Sequence, residues 1–154
     1  MEIIEIYKDL LRQAHVIIPK KAEIKLYHHY GAENVRETGA LFITVVQHDY
    51  CKYIVCMTPG QTYPMHYHRI KDESFYVLHG DLSVVLEDEF HLITPGEILN
   101  VPRRFTHGFS TKTGCVFEEL STAYLLNDSV YQDKYIRNIS GSDKMTYISI
   151  HENK

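Results

Sequence analysis

The sequence predicts an all-β domain, a sandwich or barrel, preceded by one amphipathic helix. Short apolar runs recur through the middle of the chain, each bounded by a turn signal. The signals are Pro59-Gly60, His79-Gly80-Asp81, Pro95-Gly96 and Thr113-Gly114. After the first segment no helix-length apolar pattern interrupts the runs, which argues against a βαβ arrangement. A chain of 154 residues is long enough for one domain with its own core and leaves little room for two. Residues 1–154 are therefore read as a single unit, with a helix over 2–15, a barrel core over about 24–125 and a C-terminal extension over 126–154.

The helix is read from Ile3, Ile6, Tyr7, Leu10, Leu11 and Ala14, which recur at helical spacing with charges on the opposite face. Pro19 blocks its continuation. Strands are expected over 41–47, 52–57, 74–78, 82–86, 98–101 and 115–120, with a short last strand over 147–150. The tail from Asn127 mixes polar residues with Tyr131, Tyr135 and Tyr147. Two turns share a spelling: Thr58-Pro59-Gly60 returns as Thr94-Pro95-Gly96, 36 positions on, and histidines follow both.

Composition narrows the function. A formal net charge of −4 argues against nucleic-acid or anionic-membrane partners, which need a basic surface. No apolar run approaches the roughly 20 residues that span a bilayer. The first residues carry glutamates where an export signal places basic groups, so a cytoplasmic location is expected. Cys51, Cys56 and Cys115 sit among apolar neighbours and read as reduced, buried thiols. Ten histidines in so short a chain make their spacing the next question.

On an extended strand His66 and His68 project from one face. Two neutral imidazoles there can grip one ion. Glu73 follows a short turn, with Phe75 and Val77 on its own strand face. A carboxylate on a core-facing strand face needs a cation. His107, after the second Pro-Gly turn, is the best-placed fourth ligand. A histidine pair alone is more often structural, but the carboxylate and the later histidine shift the balance to metal.

These residues resemble the cupin superfamily. Gly60, His66, His68, Glu73 and Gly80 match its first motif, G-x5-H-x-H-x3,4-E-x6-G, at every fixed position. Gly96, Pro102 and His107 match part of the second, while Arg104 stands in place of a glycine and Thr111 in place of an asparagine. The resemblance implies a double-stranded β-helix, a jelly-roll-type barrel, with one metal ion on three histidines and a glutamate at one mouth. Small cupins often pair, so the helix, strand edges and tyrosine-rich tail are expected to serve a homodimer.

A narrower resemblance is to D-lyxose isomerase-like sugar cupins and to the cupin domains of sialic-acid synthase-like proteins. It rests on Lys71 two residues before Glu73, on Glu119-Leu120-Ser121 and on Asn127-Asp128-Ser129. It implies a divalent transition metal, with manganese favoured and Fe, Zn, Co or Ni open to the same ligands. It also implies a sugar-like substrate and aldose–ketose isomerisation by metal-assisted proton transfer. Glu119 and Lys71 are the expected catalytic pair. Tyr63, Tyr67, Arg104 and Asp128 are the expected substrate-binding residues, and Arg103 shares the loop with Arg104. Two rivals stand beside this reading: a cupin dioxygenase on the same ligands, and a metal-dependent sugar-binding module without catalysis.

Overall fold

The repeated Thr-Pro-Gly spelling is a repeated turn. In the computed structural model, which describes residues 2–150, Gly60 and Gly96 take φ of 86° and 90°. The N–H groups of Gln61 and Glu97 donate to the carbonyls of Thr58 and Thr94. Proline presets one central position of such a turn and glycine supplies the left-handed other. The first turn carries the chain from β3 (Tyr50–Met57) to β4 (Thr62–His68), and the second from β7 (Glu89–Ile93) to β8 (Ile98–Val101). Each thereby passes the chain from one sheet to the other.

The remaining strands and α-helices are α1 (Glu2–Gln13), β1 (Ile24–Tyr27), β2 (Ala40–Gln47), β5 (Glu73–Gly80), β6 (Leu82–Leu86), β9 (His107–Ser110), β10 (Cys115–Thr122), β11 (Ser129–Tyr131), α2 (Lys134–Asn138) and β12 (Met145–Tyr147). They form a seven-stranded sheet, in the order β12-β1-β2-β3-β10-β5-β8, and a five-stranded sheet, β11-β4-β9-β6-β7. Every ladder between named strands is antiparallel. The two sheets stay separate, and this is the double-stranded β-helix that the resemblance implies.

Burial follows the two-residue strand period. Val55, Phe75, Val77 and Phe117 of one sheet meet Tyr63, Leu82, Val84 and Phe109 of the other in the inner core. Alternate residues of the seven-stranded sheet, Leu41, Ile43, Ile54, Cys56 and Val116, face outward and are covered by Tyr7, Leu10 and Leu11 of α1. The apolar stripe of α1 is therefore packed within its own domain. Cys51, Cys56 and Cys115 are free and buried. No helix among the described residues is long and apolar enough to cross a membrane.

The helix stops at Gln13, two residues short of expectation. His15 takes φ of 54°, and the N–H groups of His15 and Val16 return to the carbonyls of Arg12 and Leu11. This left-handed cap closes the helix before Pro19 is reached. Four elements, β1, β7, β11 and α2, are short and were not anticipated as elements. The last strand sits at Met145–Tyr147, earlier than the expected 147–150. Residues 151–154 of the expected C-terminal extension lie outside the described residues.

Candidate metal centre

Strand register brings the histidines together. His66 of β4 pairs with His107 of β9 on one side and with Tyr131 of β11 on the other. Ser129 of β11 pairs with His68. A register shift between Tyr63 and His66 lets both face the interior although they are an odd number of residues apart. Pro64, with no N–H to offer a ladder, lies inside the shift. From the opposite sheet, Glu73 of β5 pairs with Ser121 of β10, and Glu119 pairs with Phe75.

The ligand atoms of His66, His68 and His107 lie within 4.8 Å of one another, and all three residues are buried. Their far ring nitrogens are already engaged. His66 Nδ1 is 2.8 Å from the Pro64 carbonyl, His107 Nδ1 is 3.0 Å from the Phe105 carbonyl, and His68 Nδ1 is 3.2 Å from Ser129 Oγ. A carbonyl only accepts, so His66 and His107 carry their protons on Nδ1 and keep the Nε2 lone pair free.

Glu73 places Oε1 3.1 Å from His68 Nε2 and Oε2 3.2 Å from His107 Nε2. Despite this proximity, both Nε2 atoms and Glu73 Oε2 lack any hydrogen bond of proper geometry. Buried acceptors aimed at one another without a donor are what a cation between them would relieve. The donor set thus fits a divalent transition metal, and the buried His66/His68/His107 group is able to bind one.

Electrostatics agree. Burial, then the neighbouring His107 and His68, hold His66 well below the usual imidazole range. Burial likewise lowers His68, although Glu73 pulls the other way. Both are neutral, the form that ligates. Burial opposes charge on Glu73, but the Lys71 ammonium 2.7 Å away leads the opposing pull, and the carboxyl titrates well below its ordinary value. Lys71 also reaches Glu119 at 3.5 Å. Burial and the Glu73 charge push Glu119 up to about 8, against the pull of Lys71.

A cavity of about 360 Å³ opens onto this cluster, with His66, His68, Glu73, Lys71 and Glu119 on its wall. His107 lies just behind the wall, its ring centre 4.3 Å from that of His66. The structure therefore gathers the four expected ligands and the two expected catalytic residues at one place. Glu118, the neighbour of Glu119, points away and pairs with Lys52 at 2.7 Å.

The expected substrate-binding residues divide. Tyr63 lines the cavity, stacked on Phe109 at 4.6 Å. Asp128 also lines it, but both its oxygens accept backbone N–H groups, from Ile70 at 3.0 Å and Lys71 at 3.1 Å. Asp128 thus holds the turn that aims Lys71. Tyr67 is not on the wall, because strand alternation sends it to the face opposite His66 and His68. Arg104 is not on the wall either. It is exposed with φ of 68°, and only its backbone serves the site, its N–H donating to the His68 carbonyl at 2.7 Å. Arg103 pairs with Asp72 on the outside.

Two residues were missed. Tyr131 lies on the wall against His66 and is hydrogen-bonded to buried His29 at 3.1 Å. Ser129 fixes the ring of His68. The Asn127-Asp128-Ser129 spelling was a signal for the second; nothing local marks Tyr131 among twelve tyrosines.

The family described as Cupin domain matches residues 53–118. Among curated proteins none matches this sequence. Of solved structures, L-ribose isomerase from Cellulomonas parahominis with L-ribose is similar at a TM-score of 0.72 and 13% identity, covering 89% of this chain and 92% of that one. KdgF from Halomonas sp. is similar at a TM-score of 0.54 and 22% identity, covering 57% of this chain and 82% of that one. A third, TT1209 from Thermus thermophilus, is similar at a TM-score of 0.52 and 23% identity, covering 55% of this chain and 83% of that one.

Proposed function

Taking the match and the shared fold as support for assignment to the cupin superfamily, we propose that the protein is a metal-dependent sugar isomerase. In this reading His66, His68, Glu73 and His107 hold one divalent transition metal, manganese in preference to Fe, Zn, Co or Ni. A divalent ion there supplies Lewis acidity, polarising a sugar carbonyl and acidifying the neighbouring C–H and O–H groups. Glu119 is the group that moves the proton between adjacent carbons. Lys71, shared between Glu73 and Glu119, holds the carboxyl in place and donates to a substrate oxygen. Tyr63 and Tyr131 offer flat faces and hydroxyls to the sugar. The likeness to an L-ribose isomerase over most of both chains supports the sugar reading.

The observation that carries the proposal is Glu119. It is a buried carboxyl on the cavity wall, one ammonium away from Glu73 and pushed up to about 8. A carboxyl tuned toward neutrality beside a Lewis-acid site is suited to proton transfer. The test is incubation of the manganese-loaded protein with pentoses and hexoses in deuterium oxide. Ketose formation and deuterium entry beside the carbonyl are read by NMR. Turnover is expected with at least one aldose–ketose pair. Glu119→Gln should lose it by roughly a hundredfold or more, with bound metal unchanged. Oxygen consumption without isomerisation, no exchange with any sugar, or an active Glu119→Gln variant would overturn it.

A further inference from the structure

We propose that the end of the cavity around Lys144 is an anion subsite, and that the substrate is a sugar bearing a carboxylate or phosphate. The inference rests on reading the cavity as a sugar site and adds the class of sugar it takes.

Three lysines line the cavity: Lys25, Lys71 and Lys144. Two are already neutralised. Lys71 lies between Glu73 and Glu119, and Lys25 is 2.7 Å from Glu23. Among the described residues Lys144 has no carboxylate within ion-pair distance. Its ammonium stands 5.2 Å from the ring centre of Tyr131, a contact that attracts a cation but leaves its charge in place.

The placement is built by the fold. The Lys144 carbonyl accepts from His28 N–H at 2.7 Å, and its N–H donates to the Gly141 carbonyl at 3.2 Å. The next residue, Met145, pairs with Tyr27 in the β12–β1 ladder. Tyr131 in turn packs on His66, with ring centres 5.3 Å apart. Lys144 and His66 thus both stand against Tyr131, and all three line one cavity. A sugar with its carbonyl end at the histidines would bring its far end to this ammonium.

The energetics favour an anion there. Partial burial lowers the Lys144 pKa, and no neighbouring carboxylate raises it again. Its unbalanced charge also helps depress buried His29. A partly desolvated ammonium without a counter-ion is costly, and a ligand oxyanion would recover that cost through charge-assisted hydrogen bonds.

The test is titration calorimetry on the full, manganese-loaded chain with matched probes: ribose, riburonate and the terminal phosphate ester of ribose, and likewise glucose, glucuronate and the terminal phosphate ester of glucose. At least one anionic probe should bind roughly tenfold more tightly than its neutral parent. The tighter of carboxylate and phosphate names the substituent. Lys144→Gln should bring anionic and neutral probes to within about twofold of each other, with bound metal unchanged. Lys144→Arg should keep the preference. Equal or better binding of the neutral sugars would overturn the anion subsite while leaving the sugar reading in place. So would a preference that survives in Lys144→Gln, since the anion would then be held at the histidine end. Binding of no probe by metal-loaded protein would overturn both.

Discussion

The space between the two sheets has a dry half and a polar half, and the same strands build both. Facing inward, β5 presents Val77, Phe75 and then Glu73; β10 presents Phe117 and then Glu119 and Ser121; β9 presents Phe109 and then His107. Phe75, Phe109 and Phe117 form a triangle with ring centres 5.3 to 5.5 Å apart. One strand repeat beyond this aromatic layer, apolar residues give way to metal-ligand and acid–base groups. Chemistry here needs no separate loop architecture. It needs a change of residue type two positions along strands whose spacing the aromatic layer already fixes. The ligand groups are held at close range because the layer beneath them cannot spread.

The contrast can be broken first at the layer itself. Phe117 is fully buried, so Phe117→Ala should cost roughly 3–5 kcal/mol in chemical denaturation. It should also loosen the site above, seen as weaker metal uptake. Full stability in this variant would show that the layer does not pin the strands.

The polar half should show its burden in acid. Burial, then the charges of Lys144 and His28, hold His29 down from 6.5 to about 3. The unfolded chain takes up this proton near 6.5 and the folded chain only near 3. The stability linked to His29 is thus full above about pH 6.5 and is lost as pH falls through that window. His29→Gln keeps a hydrogen-bond partner for Tyr131 and removes the titration. Denaturation midpoints measured across that window should fall less steeply for the variant than for the natural protein; parallel curves would contradict the burial.

A smaller change sharpens the line between holding the fold and holding the ion. Ser129→Ala frees the ring of His68 and should weaken metal binding about tenfold to a hundredfold. Its thermal stability in the metal-free form should stay close to that of the natural protein. Smallest is Arg104→Gly. Arg104 occupies the left-handed region at φ of 68°, where a side chain is strained, so glycine should add about 1 kcal/mol of stability. Metal affinity should not change, since only the backbone N–H of this residue serves the site.

The strands that build the ligand cluster were largely legible in the sequence because they obey a local rule. His66 and His68 are two apart on a strand, Glu73 begins the next, and the repeated turn points to His107. The same rule, applied to its end, would have excluded Tyr67, which lies between the two histidines and must face the other way. Arg104 lies off the wall for a different reason: its backbone turns through the left-handed region at φ of 68° and its side chain is exposed. The far end of the cavity was illegible. Tyr131 and Lys144, with His29 buried behind Tyr131, come from β11, the entry to β12 and the turn after β1, segments of three or four residues with no period to read. Their meeting is set by long-range pairing of Tyr131 with His66 and of Met145 with Tyr27. Glu119 was visible as one of two adjacent glutamates, and strand parity decided which of them faces inward.

Metal stoichiometry is the most direct measurement. The purified chain, incubated in turn with manganese, cobalt and zinc and then dialysed, is analysed for its elements beside His66→Ala and His107→Ala. The converging Nε2 atoms and Glu73 predict one ion per natural chain and loss of that ion in both variants, with each variant still folded by circular dichroism. A natural chain that retains no metal, or variants that retain as much as it does, would contradict the metal centre.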